Sequence, residues 1–383
     1  MGALPGMFVL LTAAFLTFFD RALLPPLIPV IARDLGADVG DVGHAMTAYV
    51  LAYAVMQLGW AVVGVRIGRR RTLILSTPIG AVGAIVAACA LDPTVLLIGR
   101  LIAGAGFAAT VPAVLTYLGD ALPMRERLTA AANLAAALSL GMTVGTLAAS
   151  WAGEWLSWRL AFAAAGAIAV VVTVLLVRLP EAEGSASGGM LEGLARIARN
   201  PWALGILLLG GLEGALLIGI FSYLPVALQS TGASIALSGL LTALFGITVI
   251  VSSQVMKLAY GRWRPWVIVL LGGAPTPIAY ALLTWRVDAA TVGVAAVLMG
   301  FSWAVMHTQI QTWMTDATWD ARAVGMSTFA VALFGGGALG AWFGSVAADG
   351  AAYGALFLGS AVASGVLVAG AVAGRARYTL RDR

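Results

Sequence analysis

The sequence predicts an all-α membrane protein: twelve transmembrane helices in two pseudo-symmetric six-helix bundles. Three observations predict it. Hydrophobic residues make up 61% of the chain and charged residues only 10%, with a mean hydropathy of +0.97. Soluble domains carry roughly 25% charged residues, so the solvent for this much apolar surface is lipid. Next, twelve apolar runs follow one another, each about 20 residues long, the length that crosses a bilayer as a helix. Finally, the second half repeats the first. Adding 195 to Arg127, Gly141, Gly145 and Phe162 gives Arg322, Gly336, Gly340 and Phe357, and Arg66 maps near Arg262 in the same way.

Taken in order, the expected spans are 7–31, 43–65, 72–91, 94–117, 128–150, 158–178, 202–228, 235–258, 265–285, 290–313, 322–346 and 351–373. Pro25, Pro26 and Pro29 are expected to bend the outer half of the first span, because proline removes a helical donor. Between the sixth and seventh spans lies the longest loop, with Glu181, Glu183, Gly184, Ser185, Gly188 and Gly189. It divides the chain into an N-terminal bundle 1–180, a linker 181–200 and a C-terminal bundle 201–383. Within it, Met190 to Arg199 has the pattern of a short amphipathic surface helix. Gly335, Gly336, Gly337 and Gly340 in the eleventh span read as close helix packing, because no Lys-Ser/Thr follows and no strand precedes them. Trp151, Trp155, Trp158, Trp285 and Trp342 fall near span ends, where indole rings anchor at the interface.

Charge placement fixes an expected topology. Arg66, Arg69, Arg70, Arg71, Arg125, Arg127, Arg178, Arg196, Arg199, Lys257, Arg262, Arg264, Arg322, Arg375, Arg377, Arg381 and Arg383 fall on one side. Arg33, Arg159 and Arg286 fall on the other, and Arg21 and Arg100 lie inside spans. Cytoplasmic loops hold the excess of Lys and Arg, so both termini are expected in the cytoplasm and the chain in the inner (plasma) membrane. The net charge of +5 is thereby explained by loop ends, and no nucleic-acid partner is expected. Cys89, the one cysteine, excludes an intrachain disulfide and a cysteine metal cluster and reads as a helix-packing residue. With only His44 and His307, a histidine metal site is not expected either. No cleavable signal peptide is evident, since the first apolar run ends in charges. No nucleotide loop, metal cluster or nucleophile–base pair is found, so an enzyme is not expected, and no cofactor is called for.

Ionisable groups inside a bilayer are costly and face a cavity or a partner. Asp20 and Arg21 lie mid-span in the first helix, Arg100 in the fourth, Glu213 in the seventh and His307 in the tenth. Asp20 and Arg21 point about 100° apart on a helix, so they do not share one lumen equally. Asp20 has two readings: a proton or cation site, or a structural ion pair with Arg100 or the neighbours of Arg21. Glu213 follows Gly210-Gly211-Leu212, and Glu213-Gly214-Ala215-Leu216-Leu217 can be aligned with Asp20-Arg21-Ala22-Leu23-Leu24. This would put two acids at related positions, although Pro29 and Pro225 match in a different register. Trp303 and Gln311 sit one turn either side of His307, near Gln309, and would give a polar, aromatic face.

The stretch Ala61 to Leu73, AVVGVRIGRRRTL, is a basic turn between two apolar runs. It resembles the loop signature Gly-x-Leu-Ala-Asp-Arg-x-Gly-Arg-Lys of the major facilitator superfamily of secondary transporters. Arg66, Gly68, Arg69 and Arg70 match, while Ala61 and Val65 stand where the family has Gly and Asp. Arg100, Gly104 and Gly106 are similar to the family's fourth-helix motif Arg-x-x-x-Gly-x-Gly, and Phe18-Phe19-Asp20 with the prolines resembles the first helix of drug-efflux members. In the fifth span, Gly145-Thr146 matches the antiporter motif only partly, lacking its proline. The resemblance implies two bundles rocking around one midplane cavity lined by the first, fourth, seventh and tenth helices. It further implies proton-coupled antiport of a small organic molecule or drug by a monomer, driven by the proton gradient. Asp20 and Glu213 would hold protons or a cationic substrate, and Arg100 would tune them. Open alternatives are uptake or uniport of a small anionic or sugar-like solute on Arg21 and Arg100, lipid or lysolipid flipping, and a non-transporting membrane scaffold or sensor.

Overall fold

A computed structural model of the chain describes residues 6–180, 190–256 and 262–378. Lys257, Arg381, Arg383 and the linker residues Glu181, Glu183, Gly184, Ser185, Gly188 and Gly189 lie outside the described residues. All regular structure among the described residues is helical, and 12 helical stretches are long and apolar enough to cross a membrane. The chain divides into two compact units, Met1–Ser187 and Gly188–Arg383.

The first unit holds six spans. They are α1 (Met7–Leu35), α2 (Val39–Ile67), α3 (Arg69–Ala88), α4 with α5 (Pro93–Phe107 and Thr110–Ala121), α6 (Met124–Trp155) and α7 (Trp158–Val177). α1 runs as one helix through Pro25, Pro26 and Pro29. The fourth span is the one that breaks, at Ala108–Ala109, just before Pro112 removes a backbone donor. Gly68 joins α2 to α3 at φ 88°, a backbone angle that only glycine adopts without strain. Lipid offers no hydrophobic drive between spans, so packing rests on close approach of small residues. A Cβ at Gly141 of α6 would lie 2.2 Å from the Phe15 carbonyl oxygen, and one at Gly145 would lie 2.5 Å from that of Phe19. These two glycines therefore set the α1–α6 seam.

The second unit begins with α8 (Met190–Arg199), which packs on its own unit with Ile197 buried and Gly193 against Val324. The segment expected as linker thus contains a helix that belongs to the second bundle. Asn200 then caps α9, accepting from the Trp202 and Ala203 amides, which starts the seventh span. That span runs through α9 (Pro201–Gly214), a π turn (Ala215–Gly219), a 3₁₀ turn (Ile220–Tyr223) and α10 (Leu224–Gln229). Next come α11 (Ile235–Met256) and a ninth span split at Ala274, ahead of Pro275, into α12 (Pro265–Gly273) and α13 (Pro275–Trp285). The tenth span is α14 (Ala289–Ser302), a second π turn (Trp303–His307) and α15 (Thr308–Ala317). The last two spans are α16 (Arg322–Asp349) and α17 (Tyr353–Arg377). Gly336 and Gly340 of α16 meet α9 and its π turn, where added Cβ atoms would fall 1.8 Å from the Gly211 carbonyl oxygen and 2.1 Å from that of Ala215. The duplicated glycines of the two halves therefore make the same kind of seam, fifth span on first and eleventh on seventh.

Candidate functional site

In the first unit, Asp20 of α1 and Arg100 of α4 are both fully buried and form an ion pair. Arg100 Nη1 lies 3.0 Å from each carboxylate oxygen, and Nη2 donates to the Asp20 carbonyl at 3.1 Å. The guanidinium also lies over the Tyr49 ring at 4.3 Å and 5.2 Å from that of Phe162. A planar donor fork between two rings, spanning the side chain and backbone of one acid, is a rigid arrangement. Guanidinium groups stay protonated in proteins, so this pair has a fixed cation. Arg21, the next residue after Asp20, points elsewhere: it is buried over the Phe18 ring at 4.4 Å.

The second unit also joins an acid and a base, but of a different kind. Glu213, fully buried in α9, places Oε2 2.9 Å from His307 Nδ1. Its other oxygen, Oε1, is buried without a hydrogen-bond partner among the described residues. Trp303 stacks on the His307 ring with centroids 4.1 Å apart and planes at 12°, while Phe329 of α16 and Phe245 of α11 close around them. Glu213 sits next to one π turn, and His307 ends the other. Such π segments widen a helix by one residue and recur at functional sites. Gln311 is half-buried one turn beyond His307, and Gln309 is buried. Histidine is the side chain whose charge changes in the physiological range. An acid in contact with an imidazole is thus a different kind of pair from an acid in contact with a guanidinium.

The two pairs both link the first and fourth spans of their half, but not at equivalent heights. Packing gives the register directly. Gly104 and Gly300 approach the carbonyls of Tyr49 and Phe245, and Gly141 and Gly336 approach those of Phe15 and Gly211, with Gly145 and Gly340 in step on Phe19 and Ala215. In that register Glu213 stands opposite Thr17, one turn from Asp20. The alignment of Asp20 with Glu213 is corrected accordingly. Arg100 pairs with Asp20, and the partner of Glu213 is His307.

The basic turn is tied down by residues that local pattern did not reveal. Arg69 pairs with Asp120 at the end of α5, Nε to Oδ2 3.1 Å, and Arg70 donates to the Val177 carbonyl at the end of α7. Arg66 is exposed. Asp120 supplies the carboxylate that is missing at Val65. Its repeat partner Asp316, at the end of α15, lies 3.7 Å from Arg375 of α17. The signal that could have found both was available in the duplication itself, since Gly104 and Asp120 recur with one spacing as Gly300 and Asp316.

The sequence matches the family model described as Major Facilitator Superfamily over residues 10–341. The chain belongs to the major facilitator superfamily. That superfamily is one of membrane transporters, and the 12 long apolar helices are those of a multi-pass membrane protein. The MFS thioclapurine efflux transporter tcpA of Claviceps purpurea (strain 20.1) is 32% identical over 113 residues, 30% of this chain and 21% of that protein. The uncharacterized MFS-type transporter EfpA of Mycobacterium tuberculosis (strain ATCC 25618 / H37Rv) is 30% identical over 110 residues, 29% of this chain and 21% of its own. The matched segment thus spans about a fifth of these relatives' length. Among solved structures, the nucleoside transporter NupG (D323A mutant) aligns with a TM-score of 0.78 at 15% identity, over 96% of this chain and 99% of that one. A bacterial homolog of the human lysosomal transporter Spinster, inward-facing and unoccupied, aligns at 0.76 and 17%, over 100% and 99%. At these identities the likeness speaks for the fold shared across the superfamily.

Proposed function

We propose that this transporter is a proton-coupled antiporter that exports a small organic molecule or drug by alternating access. The observation that carries the reading is the Glu213–His307 pair: a buried acid with one unpartnered oxygen, against a histidine on which a tryptophan stacks. Burial disfavours charge on an isolated carboxylate, and a nearby imidazolium favours it. Proton arrival and departure therefore change the interaction between α9 and the tenth span, and a solute that competes for the pair exchanges with protons. The charged side chains of the elements packed around the pair are Glu192, Arg196, Arg199, Asp316, Arg322, Asp349, Arg375 and Arg377, all towards helix ends. In this reading Asp20 and Arg100 are a structural pin rather than a second proton site, and Arg21, Trp303 and Gln311 are substrate-facing candidates. Efflux is supported by the name of the tcpA relative, the gradient is the energy source without a cofactor, and the working form is a monomer in the inner (plasma) membrane with both termini cytoplasmic.

The test begins with a thermal-shift screen of the purified protein against drugs, sugars and organic acids at two pH values, since a ligand stabilises the state that it binds. Flux of the solute so identified is then followed in proteoliposomes under an imposed pH gradient. Coupled flux that is lost in Glu213→Gln, and kept in a double Asp20→Asn/Arg100→Met variant that folds, is the expected result. Flux indifferent to the gradient, or still coupled in Glu213→Gln, overturns the proposal. A second reading is proton-linked uptake of a sugar-like or nucleoside-like solute, favoured by the names of structural neighbours such as a D-xylose-proton symporter. Flux in inside-out against right-side-out vesicles separates the two.

A further inference from the structure

Beyond His307 the tenth span changes character. Up to that point, α14 is apolar apart from Thr291 at its first turn and Ser302 at its last, and its exposed residues are aliphatic, Val294 and Val297 among them. After the π turn, α15 carries Thr308 and Thr312 exposed, with Gln311 and Thr315 half-buried on the same side. These positions follow the i, i+3, i+4, i+7 spacing of one helix face. The hydroxyls of Thr308, Thr312 and Thr315 donate back to the carbonyls of Ala304, Thr308 and Gln311, so the threonine donors are satisfied within the helix. Their acceptor lone pairs and the Gln311 amide still favour water over hydrocarbon.

The first half supplies an internal control. In the register set by Gly104 with Gly300 and Asp120 with Asp316, the same face of α5 reads Pro112, Leu115, Thr116 and Gly119. Exposure matches in part: Thr116 is exposed like Thr312 and Gly119 half-buried like Thr315, whereas Pro112 is half-buried where Thr308 is exposed and Leu115 is exposed where Gln311 is half-buried. The chemistry differs as well. Four polar side chains stand on this face in the half whose buried pair contains a histidine, against Thr116 alone in the half with the Asp20–Arg100 pair.

We infer that the face of α15 formed by Thr308, Gln311, Thr312 and Thr315 is the water-lined route by which protons reach the Glu213–His307 pair, and that it opens at the Asp316 end of the span. The inference rests on the proposed proton role of that pair. Water held along the face conducts protons between the Asp316 end and His307, and the aliphatic face of α14 interrupts conduction on the opposite side. In this conformation the route is accordingly open to one side, and the proton crosses only when access alternates.

Single cysteines test this without reference to transport. In a Cys89→Ala background, cysteines are placed at 308, 312 and 315, and as controls at 294 and 297. Membrane vesicles are treated with a charged, impermeant methanethiosulfonate, which reacts with thiolate. A thiol in oil holds about tenfold less thiolate for each unit by which its pKa rises. Modification at 308, 312 and 315 should therefore be about tenfold or more faster than at 294 and 297. By the positive-inside topology it should occur in inside-out vesicles and not in right-side-out ones. Equal rates at the two sets, no reaction at 308, 312 and 315, or reaction from the opposite side overturns the route. Where a cysteine variant does not fold, hydrogen exchange of the unmodified protein decides the point: amides of α15 should exchange faster than those of α14, and the reverse order overturns the route. Loss of coupling in Glu213→Gln with unreactive cysteines would sink the route alone. Reactive cysteines with coupling intact in Glu213→Gln would instead sink the proton role of the pair.

Discussion

Replacing Arg100 by methionine isolates the energetics of the first unit's pair. The substitution keeps a long apolar stem between Tyr49 and Phe162 but removes the cation from a fully buried carboxylate. Breaking a buried ion pair by deleting one partner costs about 3–5 kcal/mol, because the surviving charge is left without solvent or counter-ion. For a cooperative unit the size of Met1–Ser187, each kcal/mol moves the melting midpoint by about 2–4 °C. Arg100→Met should therefore lower the melting midpoint by roughly 6–20 °C. Thermal unfolding in detergent, followed by intrinsic fluorescence at one scan rate for all variants, measures it. The double variant Asp20→Asn/Arg100→Met removes both charges and should recover at least half of the loss, because replacing a whole buried pair is often close to neutral. A single variant that melts within about 2 °C of the parent, or a double variant no more stable than the single, would refute the assignment of a rigid, mutually dependent pair.

Other outcomes follow from the same coordinates. Gly336→Ala puts a methyl 1.8 Å from the Gly211 carbonyl oxygen, a backbone atom that cannot rotate away, so it should cost about 1–3 kcal/mol in thermal unfolding. Gly359→Ala, which meets nothing within 4 Å, should be neutral, and an equal effect at both sites would undo the seam argument. Asp288 caps α14, and the Thr291 backbone N–H leads the groups that hold its carboxyl below the ordinary 3.8. A lowered folded-state pKa means that its contribution is present above the unfolded value and lost as pH falls through the folded one. The melting difference between the parent and Asp288→Asn, which keeps an acceptor but not the titration, should thus shrink on acidification below about pH 4. A difference independent of pH would contradict this.

Span number and length were legible because lipid imposes them: each run of about 20 apolar residues has one structural solution, a helix. The breaks were less legible. Pro112 and Pro275 mark two of them, but the π turns at Ala215–Gly219 and Trp303–His307 contain no proline, and an apolar run reads alike whether its hydrogen bonds are α or π. The candidate residues were visible singly, as rare charges in apolar spans, whereas their pairing was not. Asp20 and Arg100 are 80 positions apart and Glu213 and His307 are 94, and no local pattern encodes contacts at that distance. Asp120 escaped notice because it lies at a span end, where a carboxylate is unremarked until Arg69 is seen beside it.

The two halves carry their acid–base pairs on matching spans but at different positions, and the pairs differ in kind. Both halves join their first and fourth spans with a buried acid and base, on glycine seams that match across the repeat. A pair that must hold two helices together regardless of pH needs a base that keeps its proton, and arginine clamped over Tyr49 with a bidentate reach to Asp20 meets that need. A pair that must respond to protons needs a base that can lose one, a carboxylate not saturated by hydrogen bonds, and a path for water. Those requirements conflict with the first set, so one site cannot serve both ends. Under the proposed coupling, the second half satisfies them with His307, the unpartnered Oε1 of Glu213 and the threonines of α15. An exchange of roles between the halves, with Arg100 dispensable for folding and Glu213 dispensable for coupling, is the pattern that this division of labour forbids.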